Sequence, residues 1–144
     1  MTLVLMVDDD PLIADVVRAA LKPLGYTVGV VSDGRAVLEI VEFKRPALVI
    51  LDCAMPLMPG IEVLRRIRTS RTASSVPVLM LTARSSAADR EIGMRAGASF
   101  YMKKPFDADQ LAAVVDDLVR ENASTSGHRA ARSGYTRHED RVNP

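Results

Sequence analysis

Short apolar runs alternate with amphipathic segments along most of the chain, and this alternation constrains the fold more than any other feature. Three runs are rich in Val, Leu and Ile and are bounded by polar or turn residues; they cover 3–7, 47–51 and 76–81. Runs of this length and composition are typical of strands that are buried on both faces of a parallel sheet. Weaker candidates at 27–31 and 99–102 bring the predicted strands to five.

Helical hydrophobic patterns occupy the intervals between these strands. In the first interval, one helical stripe comprises Leu12, Ile13, Val16, Val17, Ala20 and Leu21. Gly25 follows this stripe as a stop signal. Segments 36–43, 61–67 and 87–96 are the next helix candidates, and Asp107 with Gln110 forms a capping box before the last. Five strands alternating with five helices predict an α/β fold with a doubly wound, five-stranded parallel sheet.

Length and composition indicate one globular domain followed by a polar tail. The chain has 144 residues, of which 48% are hydrophobic and 26% are charged, and its net charge of +1 gives no support to direct nucleic-acid binding. There is no signal-peptide pattern or membrane-spanning run, and the single cysteine excludes an internal disulfide, so we expect a cytoplasmic protein without membrane contact. We predict a domain over 1–121 and a disordered tail or linker over 122–144.

Polar side chains cluster at the predicted carboxyl ends of the strands, where open α/β sheets bind their ligands. These residues are Asp8, Asp9 and Asp10 after the first strand, Asp52 after the third, Thr82 after the fourth, and Lys103 and Lys104 after the fifth. Crowded carboxylates raise one another's pKa unless a cation lies between them. An all-oxygen ligand set favours Mg²⁺ or Mn²⁺. The sequence therefore predicts a hard-metal site at this edge.

The same edge carries the groups that phosphoryl transfer needs. A carboxylate such as Asp52 can act as the nucleophile and form an aspartyl phosphate. The transition state spreads negative charge over three oxygens, which a metal, Lys104 and the Thr82 hydroxyl could each contact. Taken singly, these residues have ordinary explanations, since acids cap helices and Thr favours strands. The prediction depends on their joint placement.

Four sequence motifs carry a family resemblance: LMVDDD, LVILDCAMPLMPG, VPVLMLTA and RAGASFYMKKPF. With these motifs and their spacing, the chain resembles the receiver domain of bacterial two-component response regulators, of the single-domain, chemotaxis-receiver-like kind, over about 3–120. The resemblance implies a flavodoxin-like (βα)5 fold with strand order 2-1-3-4-5. It also implies a phosphorelay switch, which takes part in its own phosphorylation and dephosphorylation but is not a dedicated enzyme.

The resemblance implies a role for each acidic residue of the edge. Asp52 would be the phosphoacceptor. Asp8 and Asp9 would hold Mg²⁺, with Asp9 and Asp52 as direct ligands and the backbone carbonyl of Ala54 as a further ligand.

The resemblance also implies the switch. Thr82 and Lys104 would bind the phosphoryl oxygens, and Tyr101 would turn inward on activation as Thr82 moves toward the phosphoryl group. The surface of the fourth helix, fifth strand and fifth helix would then change. Ala54 and Arg84 occupy positions that tune the phosphoryl lifetime, and the small Ala54 predicts slow to moderate self-dephosphorylation.

Three local features need separate interpretation. Pro59 stands where the family often has Asp, and the Pro-Gly pair at 59–60 predicts a type II turn. Cys53 is adjacent to Asp52 and should point to the opposite face, into packing, as an inert residue. Asp10 is predicted to start the first helix and is not a third ligand.

Partners follow from the resemblance. The phosphoryl donor would be a histidine kinase or a phosphotransfer domain, docking on the first helix around 12–16. The output would be a downstream protein or an output domain of a longer chain, and homodimerisation is a further option. The 144 residues could be a stand-alone regulator or a piece of a longer protein.

Two alternatives remain open at this point. In a phosphohydrolase of the haloacid dehalogenase type, Asp8 would be the nucleophile and Asp10 the acid/base, but Leu12 departs from that motif and Asp52 would have no role. A binding module with the same fold could also work without phosphorylation, although the complete set of acidic, hydroxyl and lysine residues argues against it.

Overall fold

The computed structural model describes residues 2–83 and 86–125, in which five strands alternate with five α-helices. The strands are β1 (Thr2–Val7), β2 (Tyr26–Val31), β3 (Leu48–Asp52), β4 (Val78–Thr82) and β5 (Phe100–Lys103). The helices are α1 (Pro11–Leu21), α2 (Val37–Lys44), α3 (Gly60–Arg68), α4 (Ala87–Ala96) and α5 (Ala108–Thr125). All strand pairs are parallel, in the order β2-β1-β3-β4-β5. The predicted fold class and strand order are confirmed.

Strand register aligns the carboxyl ends of the central strands. Val7 lies opposite Leu51, so Asp8 and Asp52, the next residue of each strand, come to the same edge. Asp52 in turn lies opposite Leu81, which precedes Thr82. Every residue of β3 and β4 is buried, because helices cover both faces of the sheet.

The core has two layers, one on each face of the sheet. Alternate residues of β3 divide between them, since successive strand side chains point in opposite directions. Leu48 and Ile50 join the layer under α1 and α5, whereas Val49 and Leu51 join the layer under α2, α3 and α4. By the same alternation, Cys53 packs against the second layer.

Side chains cap the helices beside the site edge. Asp10 is the N-cap of α1 and accepts a hydrogen bond from the backbone N–H of Leu12 at 2.9 Å. Asp107 accepts from the N–H of Asp109 at 2.8 Å and from that of Gln110 at 3.4 Å before α5. The capping predictions for Asp10 and Asp107 are confirmed.

The predicted inner face of α1 is partly wrong. Its buried residues are Ala14, Val17 and Leu21, whereas Leu12 is 72% exposed and Val16 is 45% exposed. Nearly every position of this helix is apolar, so its hydrophobic stripe is broader than the surface that the sheet and α5 cover. Packing against β2 and α5 therefore decides which part of the stripe is buried.

The type II turn predicted at 59–60 is also wrong. Pro59 has φ −62° and ψ 148° and is the N-cap of α3, and Gly60 is the first residue of that helix. Gly60 is not among the glycines with positive φ, which a type II turn requires at its third position. The carbonyl of Pro59 instead accepts hydrogen bonds from Glu62 and Val63, so the chain turns directly into the helix.

Helix α5 continues to Thr125, four residues beyond the predicted domain boundary at 121. The rest of the predicted tail, 126–144, lies outside the described residues, as does Arg84. No helix in the described part of the chain is long and apolar enough to cross a membrane.

Candidate functional site

Two buried carboxylates and one ammonium group meet at the carboxyl edge of the sheet. Asp8 is 2% exposed and Asp52 is 5% exposed. Lys104 Nζ lies 3.1 Å from Asp8 Oδ2 and 3.4 Å from Asp52 Oδ1, with its own side chain mostly covered. These three residues follow or end three different strands, so the sheet itself brings the charges together.

Backbone hydrogen bonds fix both carboxylates. The N–H of Asp8 donates to the carbonyl of Val31 at 3.1 Å, which continues the ladder between β1 and β2. Asp8 Oδ1 accepts from the N–H of Asp10 at 2.9 Å, and Asp52 Oδ1 accepts from the N–H of Ala54 at 3.3 Å. Each carboxylate is therefore held by the chain that immediately follows it.

Lys104 is positioned by its own backbone. Its N–H donates to the carbonyl of Thr82 at 2.6 Å, which ties the end of β5 to the end of β4. The peptide bond from Lys104 to Pro105 is cis. The neighbouring Lys103 lies opposite Thr82 in the sheet register but is exposed, so only one of the two candidate lysines reaches the carboxylates.

Burial and the oppositely charged neighbour act in opposite directions on the pKa of Asp8 and on that of Lys104. Burial raises the pKa of Asp8, against the lowering effects of the Asp10 hydrogen bond and of Lys104. Burial acts to lower the pKa of Lys104, but its hydrogen bond to Asp8 and the charge of Asp52 outweigh burial and raise that pKa. Lys104 therefore stays charged, while the Asp8 carboxylate lacks full compensation for its lost hydration.

The acidic residues fit a hard divalent cation. Asp8, Asp9 and Asp52 each offer one carboxylate oxygen, and these oxygens lie within 4.8 Å of one another. Asp9 is exposed, which opens the cluster to solvent on one side. Oxygen donors of this kind suit Mg²⁺ or Mn²⁺, and a cation here would supply the positive charge that the crowded carboxylates lack.

Thr82 and Tyr101 lie on the other side of Asp52, at a cavity of about 380 Å³. Thr82 is 1% exposed at the end of β4, and Tyr101 is 8% exposed on β5. The cavity is bounded by the loop after β3, by β4 and by α4, and its lining includes Cys53, Met80, Thr82, Asp89, Gly93 and Tyr101. Thr82 and Tyr101 are therefore both buried at the wall of the same cavity.

Two residues have roles that sequence reasoning did not find. Cys53 packs against the α2–α4 layer as expected, but it also borders the cavity beside Thr82 and Tyr101. Gly60 lies where a Cβ would collide with the backbone carbonyl of Asp52. Strand alternation places Cys53 on the face opposite to Asp52, so the position of Cys53 could have been inferred from the sequence. The position of Gly60 depends on a close approach to the backbone of Asp52, which no local sequence pattern reveals.

Comparison with known proteins agrees with this geometry. The family model described as "Response regulator receiver domain" matches residues 4–116. The chain belongs to the response regulator receiver domain family. Receiver domains of two-component systems are phosphorylated on an aspartate with Mg²⁺, so the predicted family and its general mechanism are confirmed.

The curated relatives are response regulators that are longer than this chain. The response regulator MprA of Mycolicibacterium vanbaalenii is 39% identical over 124 residues, which cover 86% of this chain and 53% of that protein. MprA of Mycobacterium leprae is 40% identical over 117 residues, covering 81% of this chain and 50% of that protein. The chain therefore spans about half the length of the relatives it matches.

Solved receiver domains have the same architecture. The Francisella response regulator 1452 receiver domain is 28% identical, with a TM-score of 0.78, over 85% of this chain and 99% of its own. The receiver domain of sensor histidine kinase PA1611 from Pseudomonas aeruginosa, described with a magnesium ion coordinated in its active site cleft, is 32% identical. Its TM-score is 0.74, over 82% of this chain and 97% of its own. The family match, together with the capping role of Asp10, argues against the dehalogenase-type hydrolase.

Proposed function

We propose that Asp52 is the phosphoacceptor of this receiver domain and that its phosphorylation requires a divalent cation held by Asp8, Asp9 and Asp52. The carbonyl of Ala54 is the further ligand in this proposal. The observation that carries it is the placement of Lys104 between the buried carboxylates of Asp8 and Asp52. A lysine with only a structural role needs a single carboxylate partner. Here two buried carboxylates share one ammonium group, so the site carries excess negative charge that a cation would balance.

The reaction uses one oxygen of Asp52 as the nucleophile. The contacts from Ala54 N–H and Lys104 Nζ both fall on Oδ1, so we assign Oδ2 as the attacking oxygen. Its electron pair forms the new bond to phosphorus, and the bond from phosphorus to the donor atom breaks, with that electron pair leaving on the donor. The Lys104 ammonium then pairs with one phosphoryl oxygen, and the Thr82 hydroxyl donates a hydrogen bond to another. The bound cation would supply the remaining charge stabilisation.

The lifetime of the aspartyl phosphate is set, in this proposal, by Ala54 and Arg84. Ala54 offers no polar side chain to orient an attacking water beside Asp52, which supports slow to moderate self-dephosphorylation. A phosphoryl half-life of seconds in the purified protein would contradict this part of the proposal.

The proposed donor is a histidine kinase or a phosphotransfer domain that docks on α1. The exposure of Leu12 and Val16 supports this surface, since apolar side chains that a helix leaves uncovered suit a protein partner. The proposed output surface is α4, β5 and α5, where Thr82 and Tyr101 connect to the phosphorylation site. Its target is a downstream protein, an output domain of a longer chain or a second copy.

We further propose a cytoplasmic location, a receiver domain over 1–121 with the remainder as a tail or linker, and no direct contact of this domain with nucleic acid or membrane. The near-neutral net charge supports the absence of nucleic-acid contact.

The central test is mass spectrometry of the intact protein after treatment with acetyl phosphate, with and without Mg²⁺. We expect wild type to gain the mass of one phosphoryl group only with Mg²⁺, and Asp52→Asn to gain none. Asp10→Asn is the matched control, because asparagine also caps helices and Asp10 is not a proposed ligand. Equal phosphorylation of Asp52→Asn, or a metal-independent gain on wild type, would contradict the proposal. No gain on wild type in either condition would favour a module that works without phosphorylation.

A further inference from the structure

The cavity beside the phosphorylation site is large enough for a small molecule, and most of its surface is apolar. Three parts of the chain line it: the loop after β3 with the start of α3, the strands β4 and β5, and the helix α4. Apolar side chains predominate, among them Met55, Ile61, Met80 and Ile92. Its volume is about 380 Å³. Small-molecule sites in proteins span roughly 300 to 1,000 Å³, and an apolar cavity of about 150 Å³ is enough for benzene.

Asp89 is the one charged residue among the described residues that line this cavity. It lies in the first turn of α4, whose N-cap is Ser86. The Ser86 hydroxyl donates to Asp89 Oδ2 at 2.8 Å and accepts from the N–H of Asp89 at 3.1 Å. Within the described part of the chain, no lysine or arginine forms an ion pair with Asp89. The carboxylate therefore keeps an oxygen, Oδ1, for a further donor.

This combination of apolar walls and one carboxylate selects a class of ligand. The carboxylate repels anions, and one carboxylate among apolar side chains offers too few oxygens for a divalent cation. An ammonium group can donate a charge-assisted hydrogen bond to Asp89, and apolar walls that exclude water strengthen such a pair. The apolar part of the same molecule would bury its surface against the methionine and isoleucine side chains.

We propose that this cavity binds a small organic cation, an amine whose ammonium group pairs with Asp89 and whose apolar body, the size of one aromatic ring, fills the space beside Met55 and Met80. The ligand regulates the switch, because Ala54 and Thr82 of the proposed phosphorylation site also border the cavity. This consequence rests on the proposed function, in which Thr82 must reach a phosphoryl oxygen. A molecule packed against Thr82 holds it in the cavity wall and slows the phosphorylation of Asp52.

Binding is tested with phenethylamine and two analogues of similar shape. Phenethyl alcohol has no charge, and hydrocinnamate has the opposite charge. The protein carries ¹³C in its methionine methyl groups, whose NMR signals are followed during each titration. Met55 and Met80 line the cavity, whereas Met6 and Met102 belong to the core layer on the other face of the sheet and serve as internal references.

We expect phenethylamine to shift the signals of Met55 and Met80 and to leave those of Met6 and Met102 in place. Phenethyl alcohol should bind about tenfold more weakly, as the loss of one charge-assisted hydrogen bond predicts, and hydrocinnamate should bind more weakly still. The proposal is wrong if phenethylamine leaves Met55 and Met80 unchanged. It is equally wrong if the alcohol or the acid binds as tightly as the amine.

Asp89→Asn tests the pairing residue directly. It should weaken phenethylamine about tenfold, to the affinity of the alcohol, and leave the affinity of the alcohol itself unchanged. Asp109→Asn is the matched control, because Asp109 lies in the first turn of α5 and does not line the cavity. Equal losses in the two variants would mean that the amine senses only the net charge. If Asp89→Asn fails to fold, the three probes on wild type still decide.

A second arm measures the rate of phosphorylation by phosphoramidate and Mg²⁺, a donor that does not acetylate amines. Saturating phenethylamine should slow wild type at least twofold, and the same concentration should have less effect on Asp89→Asn. An unchanged rate in wild type would overturn the regulatory role. The titrations need no phosphorylation, so a failure of Asp52 to accept a phosphoryl group is distinguishable from a failure of the cavity to bind the amine.

Discussion

Gly60 packs directly against the backbone of Asp52. A Cβ at this position would collide with the backbone carbonyl of Asp52 and lie 2.9 Å from Cα of Cys53. The N–H of Gly60 also donates to the carbonyl of Cys53 at 3.0 Å. The first turn of α3 is thus packed directly on the end of β3, and only a residue without a side chain allows this approach.

Gly60→Ala should therefore destabilise the protein and impair phosphorylation together. Relief of the collision requires α3 or the end of β3 to shift, at a cost of about 2 kcal/mol in the free energy of unfolding. The shift also displaces Asp52 from Lys104, which slows phosphorylation by acetyl phosphate. Urea unfolding and the rate of mass gain measure the two effects.

Gly29→Ala is the matched control, because a Cβ there meets only Leu3 and Leu5 side chains, at 3.6 and 3.7 Å. It should leave both stability and phosphorylation close to wild type. Equal effects of the two substitutions would mean that Gly60 has no special relation to Asp52.

At the scale of elements, Arg68 joins the end of α3 to the loops before β4 and β5. Its guanidinium donates to the carbonyls of Gly97 at 2.8 Å, Val76 at 2.7 Å and Ser74 at 3.0 Å. Burial lowers the pKa of Arg68 to about 10, so the charge is partly desolvated and these carbonyls take the place of water. One side chain thereby satisfies three backbone groups that no strand or helix pairs.

Arg68→Met should destabilise the protein by about 3 kcal/mol, because it leaves several carbonyls without a donor in a partly buried site. Arg68→Lys should recover only part of this loss, since a single ammonium cannot reach three acceptors in a fixed fork. Arg66→Met, on the same helix, removes an exposed pair with Glu62 and should cost below about 0.5 kcal/mol. Chemical unfolding compares the three variants, and an equal loss at both positions would refute the bridging role.

The Tyr26 side chain connects β2 to α5 and makes the free energy of unfolding depend on pH in the alkaline range. Its hydroxyl donates to Asp116 Oδ1 at 2.7 Å. Burial and this hydrogen bond raise its pKa to about 12 from 10.0. A raised pKa in the folded state means that folding favours the neutral phenol. The stabilisation is thus complete below pH 10 and is lost as the pH rises towards 12.

Tyr26→Phe should therefore cost about 2 kcal/mol at neutral pH, with a difference from wild type that shrinks as the pH rises through this window. Urea unfolding of both proteins, at intervals from about pH 8 to about pH 12, measures that difference. Asp116→Asn should weaken the same dependence, because it removes the charge that opposes ionisation of the phenol. A difference that stays constant with pH would contradict the assignment.

Periodicity in the sequence was sufficient to predict the helices and strands, but not how they pack against one another. The stripe on α1 predicted a helix, yet tertiary packing left Leu12 and Val16 exposed. The Pro-Gly pair suggested a turn, but the constraint on Gly60 comes from Asp52, a contact that forms only after β3 and α3 pack.

Asp8, Asp52 and Lys104 could be placed together from sequence because parallel strands end at one edge. The hydrogen bonds of Arg68 depend on distances that no sequence pattern encodes.

At the scale of the whole molecule, the site exists only when the sheet is formed. Asp8 follows β1, Asp52 ends β3 and Lys104 follows β5, so the unfolded chain cannot hold a cation with the same affinity. Any ion that binds the folded state alone must therefore stabilise it. Burial makes this linkage dependent on pH, since it raises the pKa of Asp8, and a protonated Asp8 carries no charge to attract the cation.

Mg²⁺ should accordingly raise the free energy of unfolding, by about 1.4 kcal/mol at ten times its dissociation constant. Without Mg²⁺, the raised pKa of Asp8 makes the fold lose stability as the pH rises through that pKa, because the folded state holds the proton more tightly than the unfolded state. With Mg²⁺, the stabilisation by the ion should grow over the same interval, because the Asp8 carboxylate becomes negatively charged and attracts the cation more strongly. The difference in the free energy of unfolding with and without Mg²⁺ therefore increases with pH.

Asp9→Asn should keep its stability in the absence of metal, since Asp9 is exposed, but should lose most of the stabilisation by Mg²⁺. Undiminished stabilisation by Mg²⁺ in this variant would mean that the ion binds elsewhere.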